Sequence, residues 1–224
     1  MTDSHMIPYR PGRRDENDMI RRAESYHRLM ESRRSVRQFS ADPVPRGLIE
    51  SAIGTASTAP SGAHRQPWTF VAISDPTVKR EIRLAAEEEE RAFYLKGRAS
   101  EEWLAAVEPM ATNWEKPFLE TVPWLVVVFE QTFGYDTDGN HQKNYYVKES
   151  VGIACGFFIA ALHNMGLATL THTPAPMKFL SEILQRPDNE RPSIIFPIGY
   201  PGDDATVPDL KRRELEDISV WFTD

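Results

Sequence analysis

Leu125-Val126-Val127-Val128-Phe129-Glu130 is an apolar run with three consecutive valines and no polar residue before its last position. A short run rich in β-branched residues reads as a buried strand. Upstream, Pro67-Trp68-Thr69-Phe70-Val71-Ala72-Ile73 reads as a second strand; downstream, 168–173 and 194–199 read as two more. Helical spacing fills the intervals. Met19, Ile20, Ala23, Tyr26 and Met30 predict a helix over 17–33. Pro45, suited to a first helical position, opens a stripe of Leu48, Ile49, Ala52, Ile53 and Ala56. A highly charged helix is expected over about 76–96, with more helix towards Glu120. A turn-rich loop is expected over 134–140, a long helix over 142–165 ended by Gly166, and a short one over 176–185. Strands alternating with helices place the chain in the α/β or α+β class. No repeat and no linker divides it, so one domain is expected over 17–224, preceded by a flexible, polar, Arg-rich arm over 1–16.

Composition narrows the possibilities. Of 224 residues, 41% are hydrophobic and 26% charged, enough for one ordinary globular core and too apolar for a disordered chain. The net charge of −7 argues against a nucleic-acid partner gripped through a general basic field. The single cysteine, Cys155, allows no intrachain disulfide and suits a cytoplasmic location; within an apolar helix it is expected to be an inert core thiol. The N-terminus has no apolar signal core. The longest apolar run, Val151–Leu162, is 12 residues, short of the roughly 20 needed to cross a bilayer, so no membrane partner is expected. It reads as a helix buried on most sides. His5, His27, His64, His141 and His163 show no metal-ligand spacing, and no metal is expected.

Two clusters invite an anion or a close ligand. Arg33, Arg34 and Arg37 surround Ser35 and Val36 within five residues, and several guanidinium forks beside a hydroxyl suit a phosphate. The same residues also read as a solvated helix end, with cations helping its C-terminal dipole. Pro60-Ser61-Gly62-Ala63-His64 follows a helix, and Gly62 would let a ligand approach the backbone; a plain turn is the alternative. No GxGxxG fingerprint is present, so no Rossmann site is inferred.

Taken together, Arg33-Arg34-Ser35-Val36-Arg37, Ala59-Pro60-Ser61-Gly62-Ala63-His64 and Gln66-Pro67-Trp68 resemble the flavin-dependent nitroreductase superfamily. The wider pattern resembles one branch of it, the iodotyrosine deiodinases. Its pieces are Glu87-Glu88-Glu89-Glu90, Asn113-Trp114-Glu115-Lys116, Ser150 to Gly156, Thr171-His172-Thr173-Pro174 and Val207 to Arg212. The resemblance runs in order from about residue 24 to 218. It implies an α+β, nitroreductase-like fold with a central, mostly antiparallel sheet flanked by helices. It also implies an intertwined homodimer with two interfacial sites, each binding FMN non-covalently. By position, Arg33, Arg34, Ser35, Val36 and Arg37 would grip the flavin phosphate and ribityl chain, with Arg212 as a further phosphate contact. Ser61 and Gly62 would reach FMN from the other subunit. Thr171, His172 and Thr173 would line the isoalloxazine edge. Thr173 is the catalytic candidate, its hydroxyl favouring one-electron steps through flavin N5. Gly152 and Gly156 would allow close helix approach in a dimer core or inside one chain.

Glu90, Tyr94 and Lys116 separate this branch from ordinary nitroreductases. Glu90 and Tyr94 stand four apart and share a helix face; Lys116 comes from a later segment. The resemblance makes them a mobile lid that clamps a halotyrosine zwitterion, Glu90 on its ammonium and Lys116 on its carboxylate. The Ala63 N–H would hold the phenolate. Without the resemblance they read as a solvated helix face and a surface lysine. The implied activity is reductive dehalogenation of iodotyrosine, with bromo- and chlorotyrosine also accepted. Electrons would come ultimately from NAD(P)H, directly or through a partner flavin reductase. A general NAD(P)H nitroreductase of the same fold is the nearest alternative; a non-catalytic flavin- or halotyrosine-binding protein is another. The chain departs from the animal enzymes in three ways. No counterpart of their N-terminal membrane anchor is expected, which suits a soluble bacterial version; it carries His172 where a hydroxyl residue is common; and it has one extra residue between Tyr94 and Trp103.

Overall fold

Continuous hydrophobicity in a strand means that both its faces are covered, and the valine run occupies that position. The structure, a computed structural model, describes residues 6–95, 97–110 and 112–223; the first residues of the expected arm, His5 included, lie outside them. The chain divides into two units, one ending at Arg33 and the other beginning at Arg34. In the first unit, α1 (Glu16–Glu31) starts at Asp15, whose carboxylate accepts the Asp18 N–H at 3.0 Å. Glu16 and Asp18 lie at its positive end and Arg28 at its negative end, as the helix dipole favours. Asp18 also meets Arg14, Arg21 and Arg22.

The second unit is built on a four-stranded sheet, β1 (Trp68–Ile73), β2 (Trp124–Gln131), β6 (Glu190–Gly199) and β5 (Ala168–Thr169), in the order β1-β2-β6-β5. All three pairings are antiparallel. Val126 and Val128 enter one core with Phe196 and Ile198, beneath α2 (Arg46–Ser57) and α6 (Val147–Asn164). Leu125, Val127 and Phe129 enter a second core on the other face with Ile195. That core also takes Ile82 and Ala86 of α3 (Pro76–Leu95), Leu119 of α5 (Phe118–Thr121) and Leu180 of α7 (Lys178–Ile183). The α+β class and the antiparallel sheet are as expected.

Several boundaries differ from expectation. The segment between α3 and α5 is broken into α4 (Glu101–Val107) and a single 3₁₀ turn, Glu108–Met110. The expected loop at 134–140 is the turn of a hairpin, β3 (Phe133–Tyr135) with β4 (His141–Lys143). Its tip is closed by the Asp136 carboxylate accepting the Asp138 and Asn140 N–H groups. The long helix therefore starts at Val147, after Tyr146 at φ 49°, rather than near 142. The strand expected over 168–173 shrinks to β5 plus an isolated bridge, His172 to Ile195. The last helix, α8 (Leu215–Ile218), is a short exposed turn. Among the described residues no helix is long and apolar enough to cross a membrane, and no His/Cys/Asp/Glu group could hold a metal ion.

The α6 helix also corrects the sequence reading. It is buried on one face, by Val151, Ala154, Cys155, Phe158 and Leu162, and open on another. Ile153 and Phe157 are exposed there, and among the described residues nothing beyond the helix's own backbone lies within 4 Å of where a Cβ on Gly152 or Gly156 would stand. Its 3.6-residue repeat is uniformly apolar, which conceals that one face has no partner among the described residues. Burial pushes the Cys155 thiol up to about 12, in keeping with an inert core cysteine. Phe158 is fully buried, its ring 5.5 Å from Phe70 and 5.3 Å from Phe196. Phe158→Ala should lower stability by about 3–5 kcal/mol, read as a lowered urea midpoint at unchanged slope.

Candidate functional site

The α3 helix carries Glu90 and Tyr94 on one face. Its start is capped by Asp75, whose carboxylate accepts the Thr77 and Val78 N–H groups. Lys116 arrives from the segment ahead of α5. Its Nζ lies 3.4 Å from Glu90 Oε2 and 5.7 Å from the centre of the Tyr94 ring, and it donates to the Asn113 carbonyl. The side chains are 4% exposed for Lys116 and 14% for Glu90, so both charges are largely out of water. Burial pushes the Glu90 carboxyl up and the Lys116 ammonium down, and the attraction between them offsets part of each shift. Burial raises the Tyr94 phenol too, with Glu90 adding to the rise. Trp103 of α4 meets Tyr94 edge-on at 5.4 Å and Phe93 at 4.8 Å. No motif in the sequence singled out this support.

Arg37 stands beside the trio. With Thr112, Asn113, Glu115, Pro117 and Phe118 it lines a cavity of about 200 Å³. Burial lowers its guanidinium below the ordinary arginine value, and among the described residues no carboxylate forms an ion pair with it. Ser35 bridges Thr169 of β5, and the Val36 N–H donates to the Thr169 carbonyl at 3.4 Å. Arg34 donates to the Pro208 carbonyl, tying the start of this unit to the stretch that carries Arg212; Arg212 itself is exposed. Arg33 belongs to the first unit, where its N–H donates to the Met30 carbonyl at 3.2 Å.

His172 exchanges both backbone hydrogen bonds with Ile195 at 2.9 Å and sets its ring edge-on to Phe118. The residue is 6% exposed, and its Nε2 is buried without a hydrogen-bond partner among the described residues. Burial, with the Lys116 and Arg37 charges adding, lowers its pKa to about 3. Thr171 and Thr173 flank it and are exposed.

The loop after α2 is a separate construction. Ser61 Oγ accepts the Gln66 N–H at 2.9 Å, and Gly62 bridges Tyr145 and donates to Ser150 Oγ at 3.3 Å. A Cβ on Gly62 would fall 2.6 Å from the Tyr145 carbonyl oxygen. Inside the chain, the close approach that this glycine permits is to Tyr145. Ala63, His64 and Gln66 have φ of 49°, 54° and 48°, left-handed angles that cost of order 1 kcal/mol per residue and persist only where the surrounding structure holds them. The hydrogen bonds of the turn use the N–H groups of His64, Arg65 and Gln66 and leave that of Ala63.

One chain thus brings Glu90, Tyr94, Lys116, Arg37 and His172 together. It does not bring Ser61, Gly62 and Ala63 to them: among the described residues no hydrogen bond, ion pair or ring contact joins the groups. One follows α2, which covers one sheet face; the other sits on α3 and its neighbours, which cover the opposite face.

Residues 30–200 match the model of the Nitroreductase family. The chain is 52% identical to an iodotyrosine deiodinase of Haliscomenobacter hydrossis, over 96% of this chain and 97% of that one. It is 44% identical to iodotyrosine deiodinase 1 of Homo sapiens, over 96% of this chain and 74% of the human one. A crystal structure of oxidized iodotyrosine deiodinase bound to FMN and 3-iodo-L-tyrosine superposes with a TM-score of 0.75 at 29% identity, covering 89% of this chain and 99% of that one. The chain belongs to the nitroreductase family, in its iodotyrosine deiodinase branch.

With its pKa near 3, His172 is neutral in the folded chain at neutral pH, whereas an unfolded histidine gains its proton near pH 6.5. The unfolded state binds the extra proton between those values. Stability linked to this group is complete above about pH 6.5 and is lost towards pH 3, by up to about 1.4 kcal/mol per pH unit. His172→Gln should flatten the dependence of the urea midpoint on pH between about 6.5 and 4.

Proposed function

We propose that this chain is an FMN-dependent reductive dehalogenase of halotyrosines, 3-iodotyrosine foremost. The observation that carries the reading is the buried Glu90–Lys116 pair beneath Tyr94. An amino-acid zwitterion offers each buried charge a new opposite partner: its ammonium meets Glu90 and its carboxylate meets Lys116. A ligand carrying only one of those charges strands the other protein charge away from water, a costly arrangement. Tyr94 adds a ring face and a hydroxyl, and the unused Ala63 N–H suits the phenolate.

The residues fit FMN. Arg37 brings a cation with no carboxylate paired to it beside a cavity, and His172 holds a buried ring nitrogen without a partner. Arg33, Arg34, Ser35, Val36 and Arg212 would hold the phosphate and ribityl chain. Thr171, His172 and Thr173 would line the flavin edge, with the Thr173 hydroxyl tuning N5. Replacing carbon–halogen by carbon–hydrogen takes two electrons and one proton and releases halide; FMN, when bound, supplies the electrons. NAD(P)H is their ultimate source, directly or through a separate reductase. The protein's part is to orient the ring, hold both ends of the amino acid and exclude water around the charges.

A homodimer completes the site. The loop carrying Ser61, Gly62 and Ala63 would come from the partner, and the open apolar face of α6 at Gly152 and Gly156 supports close helix packing between copies. We assign the FMN-binding domain to 17–224, with 1–16 as its arm.

Reduced anaerobically with dithionite, the FMN-loaded protein should convert diiodotyrosine to tyrosine, measured by chromatography against a control without enzyme. Nitroaromatic turnover without tyrosine would instead place it among general nitroreductases, and flavin binding with neither activity would leave a binding protein. Lys116→Ala and Glu90→Gln should each weaken iodotyrosine binding by about tenfold or more while retaining FMN.

A further inference from the structure

The same α3 face that carries Glu90 and Tyr94 continues back through Glu87, Arg83 and Lys79. These side chains form a polar ladder down to the segment that begins at Lys116. Lys79 is buried and donates to the Glu120 and Val122 carbonyls at 3.2 and 2.5 Å, satisfying the end of α5. Arg83 bridges Glu87 at 2.9 Å and Glu120 at 3.0 Å. Glu87 is only 8% exposed, and its Oε1 accepts the backbone N–H of Lys116 at 2.7 Å.

A buried carboxylate on a charged helix is expensive unless each of its contacts is satisfied. Here its inward bond goes to the backbone of the residue whose ammonium pairs with Glu90.

We propose that Glu87 is the positioning residue of the substrate clamp: by accepting the Lys116 N–H it fixes where the lysine ammonium meets the carboxylate of a bound amino acid. The inference rests on the halotyrosine reading above and deepens it. Glu87 itself need touch neither substrate nor flavin. Its influence should therefore be confined to ligands that carry a carboxylate.

The test compares 3-iodotyrosine with 3-iodotyramine, which lacks the carboxylate, as substrates of the dithionite-reduced, FMN-loaded full chain. Glu87→Ala should lower kcat/KM for iodotyrosine about tenfold, the scale of one lost hydrogen bond to a charged group. The loss should lie in KM rather than kcat, with less than about a twofold change for iodotyramine and FMN retained. Glu87→Gln keeps an oxygen that can accept the Lys116 N–H and should recover most of the loss. If Glu87→Ala does not fold, Glu87→Leu preserves side-chain bulk while removing the acceptor and carries the same comparison. An equal loss for both substrates, or none for either, overturns the positioning role while leaving the activity intact. A wild-type chain that dehalogenates neither substrate overturns the halotyrosine reading, and the positioning role falls with it.

Discussion

The two-sided burial of β2 is the constraint on which the rest of the second unit depends. Val126 and Val128 face α2 and α6, while Leu125, Val127 and Phe129 face α3, α5 and α7, and all five are fully buried. A strand enclosed in this way needs helices on both faces and hydrogen-bonded neighbours at both edges, and β1 and β6 supply the latter. The sheet therefore divides the unit into two layers. One carries the loop after α2 and the glycine face of α6; the other carries the charged face of α3.

That division bears directly on the chemistry. Ile82 and Ala86 seat α3 in the core, while its charged face meets the segment that begins at Lys116, and there Glu90 and Lys116 lose hydration together. Desolvation opposes the charged form of each, and their attraction offsets part of it. Such a pair is poorly suited to adding stability and well suited to recognition, because its exchange for an external ammonium and carboxylate conserves the number of matched charges. Nearby, Arg37 and neutral His172 provide a cation and an unpartnered ring nitrogen on the same side. The left-handed loop at Ala63 lies in the other layer, and the proposed homodimer would bring it across.

Local chemistry was legible from the residues. The valine run, the apolar stripe of α2 and the charged length of α3 each announce their type, because side-chain period and β-branching act within a few residues. The order of motifs from Arg33 to Arg212 was also legible and led to the correct family. The hairpin at 133–143 was not, since its strands are three residues each and its turn depends on Asp136 folding back on two N–H groups. The contact of Gly62 with Tyr145 was not legible, because Tyr145 is remote in sequence.

The sequence by itself carried the strand and helix types through side-chain spacing, carried the family through the resemblance of its ordered motifs, and offered Glu90, Tyr94 and Lys116 as candidates. Only the tertiary structure decided that Glu90 and Lys116 pair out of water, that His172 is neutral with its Nε2 unbonded among the described residues, and that Glu87 reaches the Lys116 backbone rather than solvent. Those outcomes depend on which charges the packed core excludes from water and which distant segment meets each helix face. Desolvation and close contact arise only when the layers come together.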